Sequence, residues 1–166
     1  NSDQERSIQE IDFPNYFKNV VTTCYFINKK DPQHGNTLNK PNINYIKPWY
    51  ESMLYNNLNG IIIHDELPKD FIQKYETDKI KFIKYSTGNY SIFEERWIAY
   101  YLLLLNNDFD NIFFTDSNDV QITTDPFEKH NHKNLLYVGR DAANRFMDSE
   151  WVLEELTKFE TDSYIY

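Results

Sequence analysis

Residues 19–27 (NVVTTCYFI) are apolar or β-branched without alternation, the pattern of a strand buried on both faces, as in a parallel sheet. Ile61, Ile62 and Ile63 form a second such run, which leads into His64-Asp65-Glu66. Residues 79–85 (KIKFIKY) interleave lysines with Phe82 and Ile83 and predict a third strand nearer an edge. A fourth buried strand is predicted at 111–115 (NIFFT), running into Asp116-Ser117-Asn118-Asp119, and a fifth at 135–138. Helical spacing fills the gaps. Trp49, Met53, Leu54 and Leu58 predict a helix opened by Pro48 and ended by Gly60, and Pro68 opens a short one through Tyr75. Ser91-Ile92-Phe93-Glu94 has the form of a capping box, in which each side chain satisfies the other's free backbone amide, and starts a helix to about Asn107. Residues 147–159 are amphipathic and predict a last helix. Polar stretches separate these elements: a lead-in arm at 1–15 that reads as a frayed terminus, a long loop at 28–48, a turn at Thr87-Gly88-Asn89, and a helical turn capped by Asp125-Pro126.

Strands alternating with helices imply an α/β sandwich around a mostly parallel sheet, and 166 residues suit a single domain. A net charge of −9 repels phosphodiester backbones and anionic headgroups, so no nucleic-acid partner is expected. The longest apolar run, Ile98 to Leu105, is eight residues, against about twenty for a membrane-spanning helix. No membrane span is expected and the chain reads as soluble; cytoplasm and secretory-pathway lumen both fit. The single cysteine, Cys24, cannot form an intrachain disulfide, and no Cys or His spacing suggests structural zinc.

In open parallel sheets ligands sit beyond the carboxyl ends of strands, where strand order reverses. With an order of 3-2-1-4, that place lies between the strand ending Thr22-Thr23-Cys24-Tyr25 and the strand ending Thr115-Asp116-Ser117-Asn118-Asp119. Two carboxylates and an amide within four residues are hard oxygen donors, suited to Mg²⁺ or Mn²⁺. The plainer reading is a turn capped by Asp116 and Asp119. An EF-hand loop does not fit, because Gln121 stands where its sixth-position glycine belongs. Arg96 is the one Lys or Arg between Lys84 and Lys129, in a span carrying eight acids. Its helical neighbours Ile92, Phe93, Ala99 and Tyr100 are uncharged, so it is expected to point inward. There it either clamps a phosphate bidentately or pairs with Asp116 or another acid. Asp65 offers a partner for a base or ribose, or else simply ends its strand. His34, His130 and His132 lie in polar loops and are read as solvated.

The stretch FFTDSNDVQITTDPFE (113–128), preceded by ERWIAYYLLLL and by IIIHDELP, resembles the GT-A glycosyltransferases, nucleotide-diphospho-sugar transferases with a DxD-type motif. The subset with a TDxxDV form and a trailing DPF is the most similar, and the resemblance runs from about Val20 to Asp141. It implies a Rossmann-like GT-A fold with first-strand contacts to the nucleobase from Thr22, Thr23 and Cys24. It also implies Mn²⁺ or Mg²⁺ held by Asp116 and Asp119, and Arg96 facing the donor. This chain has Asn118 where a plain DxD has its second acid, so Asn118 and Asp119 are both candidates for the metal contact. The resemblance implies a metal-dependent transferase, or its donor-binding domain, that uses a nucleotide-sugar, a UDP-sugar first among them, and a glycan or glycoprotein acceptor. Asp141 is a candidate base for the acceptor hydroxyl. Families of this kind often take a further metal ligand, frequently His, from a later segment; none is evident through Tyr166, and the acceptor-binding half is expected to be abbreviated or missing. Two other readings stand beside this one. A noncatalytic relative would bind carbohydrate or a protein. A phosphohydrolase of the haloacid dehalogenase type would need an acid where Asn118 stands.

Overall fold

Four strands, Asn19–Tyr25 (β1), Asn59–His64 (β2), Ile80–Lys84 (β3) and Asn111–Phe114 (β4), form one all-parallel sheet in the order β3-β2-β1-β4 in the computed structural model. The structure describes residues 6–30 and 37–128, which belong to the compact unit Asn1–Asn131. The strand expected at 135–138, the helix at 147–159, Asp141 and the other three histidines, at 34, 130 and 132, lie outside the described residues.

Successive strand residues point to opposite faces, and the apolar runs divide accordingly. Val21, Ile62 and Phe82 pack against Ile46, Trp49 and Met53 of helix α1 (Ile43–Tyr55), with Phe71 and Tyr75 of α2 (Lys69–Tyr75) alongside. On the other face Val20, Ile61, Ile63 and Ile83 pack against Ala99, Tyr100 and Leu103 of α3 (Ile92–Asn106). Apolar contact on both sides is why β1 and β2 read as continuous hydrophobic runs. Each such buried side chain contributes about 1.5–3 kcal/mol. β4 departs from the expectation of full burial: it is half-buried, with Phe113 exposed, because among the described residues it pairs only with β1. No described helix is long and apolar enough to cross a membrane.

The lead-in arm is not frayed from Arg6 onward. Ile8 forms an antiparallel bridge with Tyr85, and the amide of Gln9 donates to the Lys84 carbonyl at 2.8 Å. The arm thereby covers the outer edge of β3, and Ile8 and Phe17 join the α3-side core. Helix α1 also begins five residues earlier than expected. Asn42 caps it, accepting from the Asn44 amide at 3.0 Å, while the Asn42 amide donates to the Tyr25 hydroxyl at 2.8 Å. Pro48 lies inside the helix on its exposed side, where the carbonyl it leaves unmatched can reach water. The α3 capping box is formed as expected, with Ser91 and Glu94 bonding reciprocally.

Gly60 does not end α1, which stops at the Asn56 cap followed by Asn57 in the left-handed region (φ 52°). Gly60 belongs to β2, and a Cβ there would meet Trp49 Cη2 at 2.9 Å and Met53 Cε at 3.1 Å. Gly60→Val is therefore expected to cost about 1–3 kcal/mol by overpacking. Urea unfolding measures this, and an unchanged midpoint would contradict the packing described.

Candidate functional site

Thr115 is the anchor of the site. Its amide donates to the Thr22 carbonyl at 3.0 Å, which prolongs the β1–β4 pairing by one residue. Its carbonyl accepts from Thr23 Oγ1 at 3.0 Å and the Tyr100 hydroxyl at 3.3 Å, and its own Oγ1 accepts from Trp49 Nε1 at 2.9 Å. β1, α1 and α3 thus grip the residue immediately before Asp116. Beyond the motif the chain returns to the core: the Ile122 amide donates to Ser52 Oγ at 2.9 Å, and Asn56 Nδ2 donates to the Ile122 carbonyl at 2.8 Å. Residues 116–119 are consequently held as a loop between two fixed ends.

That loop forms one wall of a cleft of about 140 Å³ at the reversal of strand order. Cys24, Phe26, Tyr45 and Phe93 line its apolar part, and Arg96, Asp116, Asn118 and Asp119 its polar part. Arg96 reaches in from α3, and its Nη1 donates to Asp116 Oδ1. The rings of Phe93 and Trp97 flank the guanidinium at 5.8 and 6.0 Å, within the range of a cation–π contact. Of the two roles read for Arg96, the acidic partner is present in this structure. Asn118 and Asp119 are exposed on the same wall. A wider hollow of about 680 Å³ lies between α1 and residues 121–123, but its charged groups, Lys47 and Glu51, pair with each other at 3.6 Å. The chemistry is concentrated in the smaller cleft.

The donor set can be weighed on this geometry. Among the described residues no group of three His, Cys, Asp or Glu is close enough to hold a metal alone. Two carboxylates and an amide oxygen at the wall of an open cleft are hard oxygen donors, too few to complete a divalent cation's coordination without further ligands.

Three residues singled out in the sequence are buried and outside the cleft lining. Thr22 and Thr23 are fully buried and do not line the cleft; Thr22 Oγ1 donates to the Ile61 carbonyl at 3.1 Å and Thr23 Oγ1 to Thr115, as above. Asp65 is also buried. Its Oδ1 accepts from the Ile27 amide at 2.9 Å and the Glu66 amide at 2.8 Å, and its Oδ2 from the Asn28 amide at 2.8 Å. It ties the end of β2 to the chain leaving β1. Cys24 does line the cleft, partly exposed, and burial pushes its thiol well above the usual range. Burial likewise raises Tyr100.

His64, next to Asp65, is buried, and its Nδ1 accepts from the Leu67 amide at 3.3 Å. Burial lowers its pKa from 6.5 to about 4, although the nearby Asp65 charge opposes the shift. The unfolded chain therefore binds a proton between pH 6.5 and 4 that the folded chain refuses, so stability falls as pH drops through that window. At the 1.36 kcal/mol per pH unit of a shifted group, this amounts to about 3 kcal/mol. His64→Asn is expected to flatten the stability profile between pH 7 and 4 by that order, as read from urea midpoints. Parallel profiles would contradict it.

Tyr45, Phe26 and Phe93 were not anticipated as cleft residues; Phe93 was the most accessible to inference, sitting three positions before Arg96. Comparison with known proteins adds nothing further: no family model, no curated protein and no solved structure matches this chain.

Proposed function

We propose that the cleft binds a nucleoside-diphosphate sugar, a UDP-sugar first among candidates, together with Mn²⁺ or Mg²⁺. On this reading the chain is the donor-binding catalytic domain of a GT-A-type glycosyltransferase that passes the sugar to a glycan or glycoprotein acceptor. The observation that carries the reading is the meeting of Arg96 with Asp116, Asn118 and Asp119 at the strand-order reversal. In a chain of net charge −9, an anionic ligand would need the positive charge of Arg96 together with that of a bound cation.

Glycosyl transfer from a nucleotide-sugar expels a diphosphate, and negative charge builds on its oxygens as the bond to the sugar breaks. A divalent cation held by Asp116 with Asp119 or Asn118 would supply Lewis-acid stabilisation of that charge. Arg96 would donate to the phosphate oxygens, steadied by Phe93 and Trp97. The apolar rings of Phe26, Tyr45 and Phe93 suit the uncharged, planar part of a nucleotide. Asp141 remains the candidate base for the acceptor hydroxyl.

A second reading, a noncatalytic relative that binds carbohydrate or protein, draws support from the Arg96–Asp116 pair, which neutralises the central acid. A hydrolysis assay separates the two. Incubation with a panel of nucleotide-sugars is expected to release UDP in the presence of Mn²⁺ and not in EDTA. Thermal stabilisation by a glycan with no nucleotide cleavage would favour the second reading, and phosphate release from a simple phosphomonoester would favour a phosphohydrolase.

A further inference from the structure

We infer that the Arg96–Asp116 pair is a clasp that couples cation binding to diphosphate binding at this site; the inference rests on the nucleotide and cation reading above. Asp116 and Arg96 together are electrically neutral, so a cation approaching Asp116 alone meets a carboxylate already compensated by a guanidinium in direct contact. A second positive charge at that distance lowers the carboxylate's affinity for the cation by ordinary Coulomb repulsion. A diphosphate changes the balance, because it offers Arg96 another anion of matching bidentate geometry. Asp116 is then free to turn its full charge to the cation.

Two features suit Arg96 to exchanging partners. Its side chain is partly exposed at the cleft while that of Asp116 is more than half exposed, so neither is locked in a buried pair. Phe93 and Trp97 also flank the guanidinium without any charge preference, which keeps it at the cleft whichever anion it faces. Asp119, on the same wall, is not bonded to Arg96. Asp116 is therefore the acid whose availability Arg96 controls. Cation and diphosphate would bind together and each would bind weakly alone, which keeps the site from filling with cation when no donor is present.

The test is a titration of the whole chain with Mn²⁺, followed by the electron paramagnetic resonance signal of the free ion, with and without saturating UDP. In Arg96→Gln, binding of Mn²⁺ alone is expected to tighten about tenfold, a coupling of ordinary size. The additional tightening that UDP gives should shrink correspondingly. Arg96→Lys, which keeps the charge, should bind Mn²⁺ alone about as weakly as the natural chain, a difference that loss of packing does not produce. Arg96→Met, whose apolar side chain can lie between Phe93 and Trp97, gives the same comparison should the glutamine variant fail to fold. The clasp is overturned, with the nucleotide reading intact, if the natural chain binds Mn²⁺ with UDP but neither neutral variant binds Mn²⁺ alone more tightly. If the natural chain binds neither Mn²⁺ nor UDP in any combination, the clasp and the reading beneath it both fall.

Discussion

Glu95→Ala is expected to lower folding stability by about 3–5 kcal/mol, the usual cost of removing one member of a buried ion pair. Glu95 has no exposed surface and gathers four segments. Tyr85 donates to Oε2 at 2.5 Å and the Tyr90 amide to Oε1 at 3.1 Å, while Arg6 Nε stands 3.6 Å and Lys29 Nζ 3.7 Å from the carboxylate. Burial, reinforced by the hydrogen bond to Glu95, pushes the Tyr85 hydroxyl above its ordinary range, so Tyr85 stays a donor. Without the carboxylate, Tyr85 and Tyr90 lose their acceptor, and the two cations lose the charge that draws the lead-in arm and the β1 exit to α3. The same first helical turn carries Arg96 and Phe93 into the cleft, so the damage should reach ligand binding too. Urea unfolding measures the cost. Glu95→Gln, which keeps the shape and an acceptor for Tyr90, should lose roughly half as much. A loss below about 1 kcal/mol in the alanine variant, the range of surface pairs, would mean the cluster adds little.

Asp116→Ala is expected to reduce Mn²⁺-dependent release of UDP from a nucleotide-sugar by about 10²–10³-fold, the scale seen when one group that stabilises transition-state charge is removed. The melting temperature should move little, because Asp116 is more than half exposed and Arg96 keeps Phe93 and Trp97 as neighbours. Asp116→Asn, which preserves shape and removes charge, should lose nearly as much activity. Rates within about twofold of the natural chain would place the chemistry elsewhere. The comparison is clean because Thr115, not Asp116, carries the bonds that hold the loop to β1, α1 and α3.

Much of the sheet was legible in the chain because strands buried on both faces leave continuous apolar runs, and β1 and β2 are such strands. Helix α3 was legible through its capping box, a local signal that needs no tertiary partner. The start of α1 was misread because Pro48 matches the first-position preference of helices, whereas the Asn42 cap is secured by Tyr25, seventeen residues away. The docking of the arm was missed for a related reason: Ile8 stands in a stretch with no periodicity, and the β3 edge it covers is some seventy residues further along.

At the cleft, Asp116 was legible as an acid just beyond an apolar strand at the strand-order reversal and Arg96 as a charged residue among uncharged helical neighbours, and the structure brings them into contact. Glu95 satisfies that test equally well, with Ser91, Ile92, Ile98 and Ala99 three and four positions away, yet Arg96 drew attention as the one cation in an acidic stretch. Thr22, Thr23 and Asp65 show the limit of such reasoning. A polar group at a strand end can face a ligand or satisfy backbone amides of a neighbouring segment, and sequence does not distinguish the two. Here Asp65 accepts from three backbone amides, and both threonine hydroxyls bond to backbone carbonyls.

The central claim, that the cleft between the ends of β1 and β4 holds a nucleoside diphosphate together with a divalent cation, is tested most directly by melting temperature. At a concentration one hundred times the dissociation constant, a ligand that binds only the folded chain adds about 2.7 kcal/mol of stability. UDP with Mn²⁺ is expected to raise the midpoint by several degrees, more than either alone, and Asp116→Ala should abolish the rise. No shift in the natural chain, or the same shift in the variant, would contradict the account.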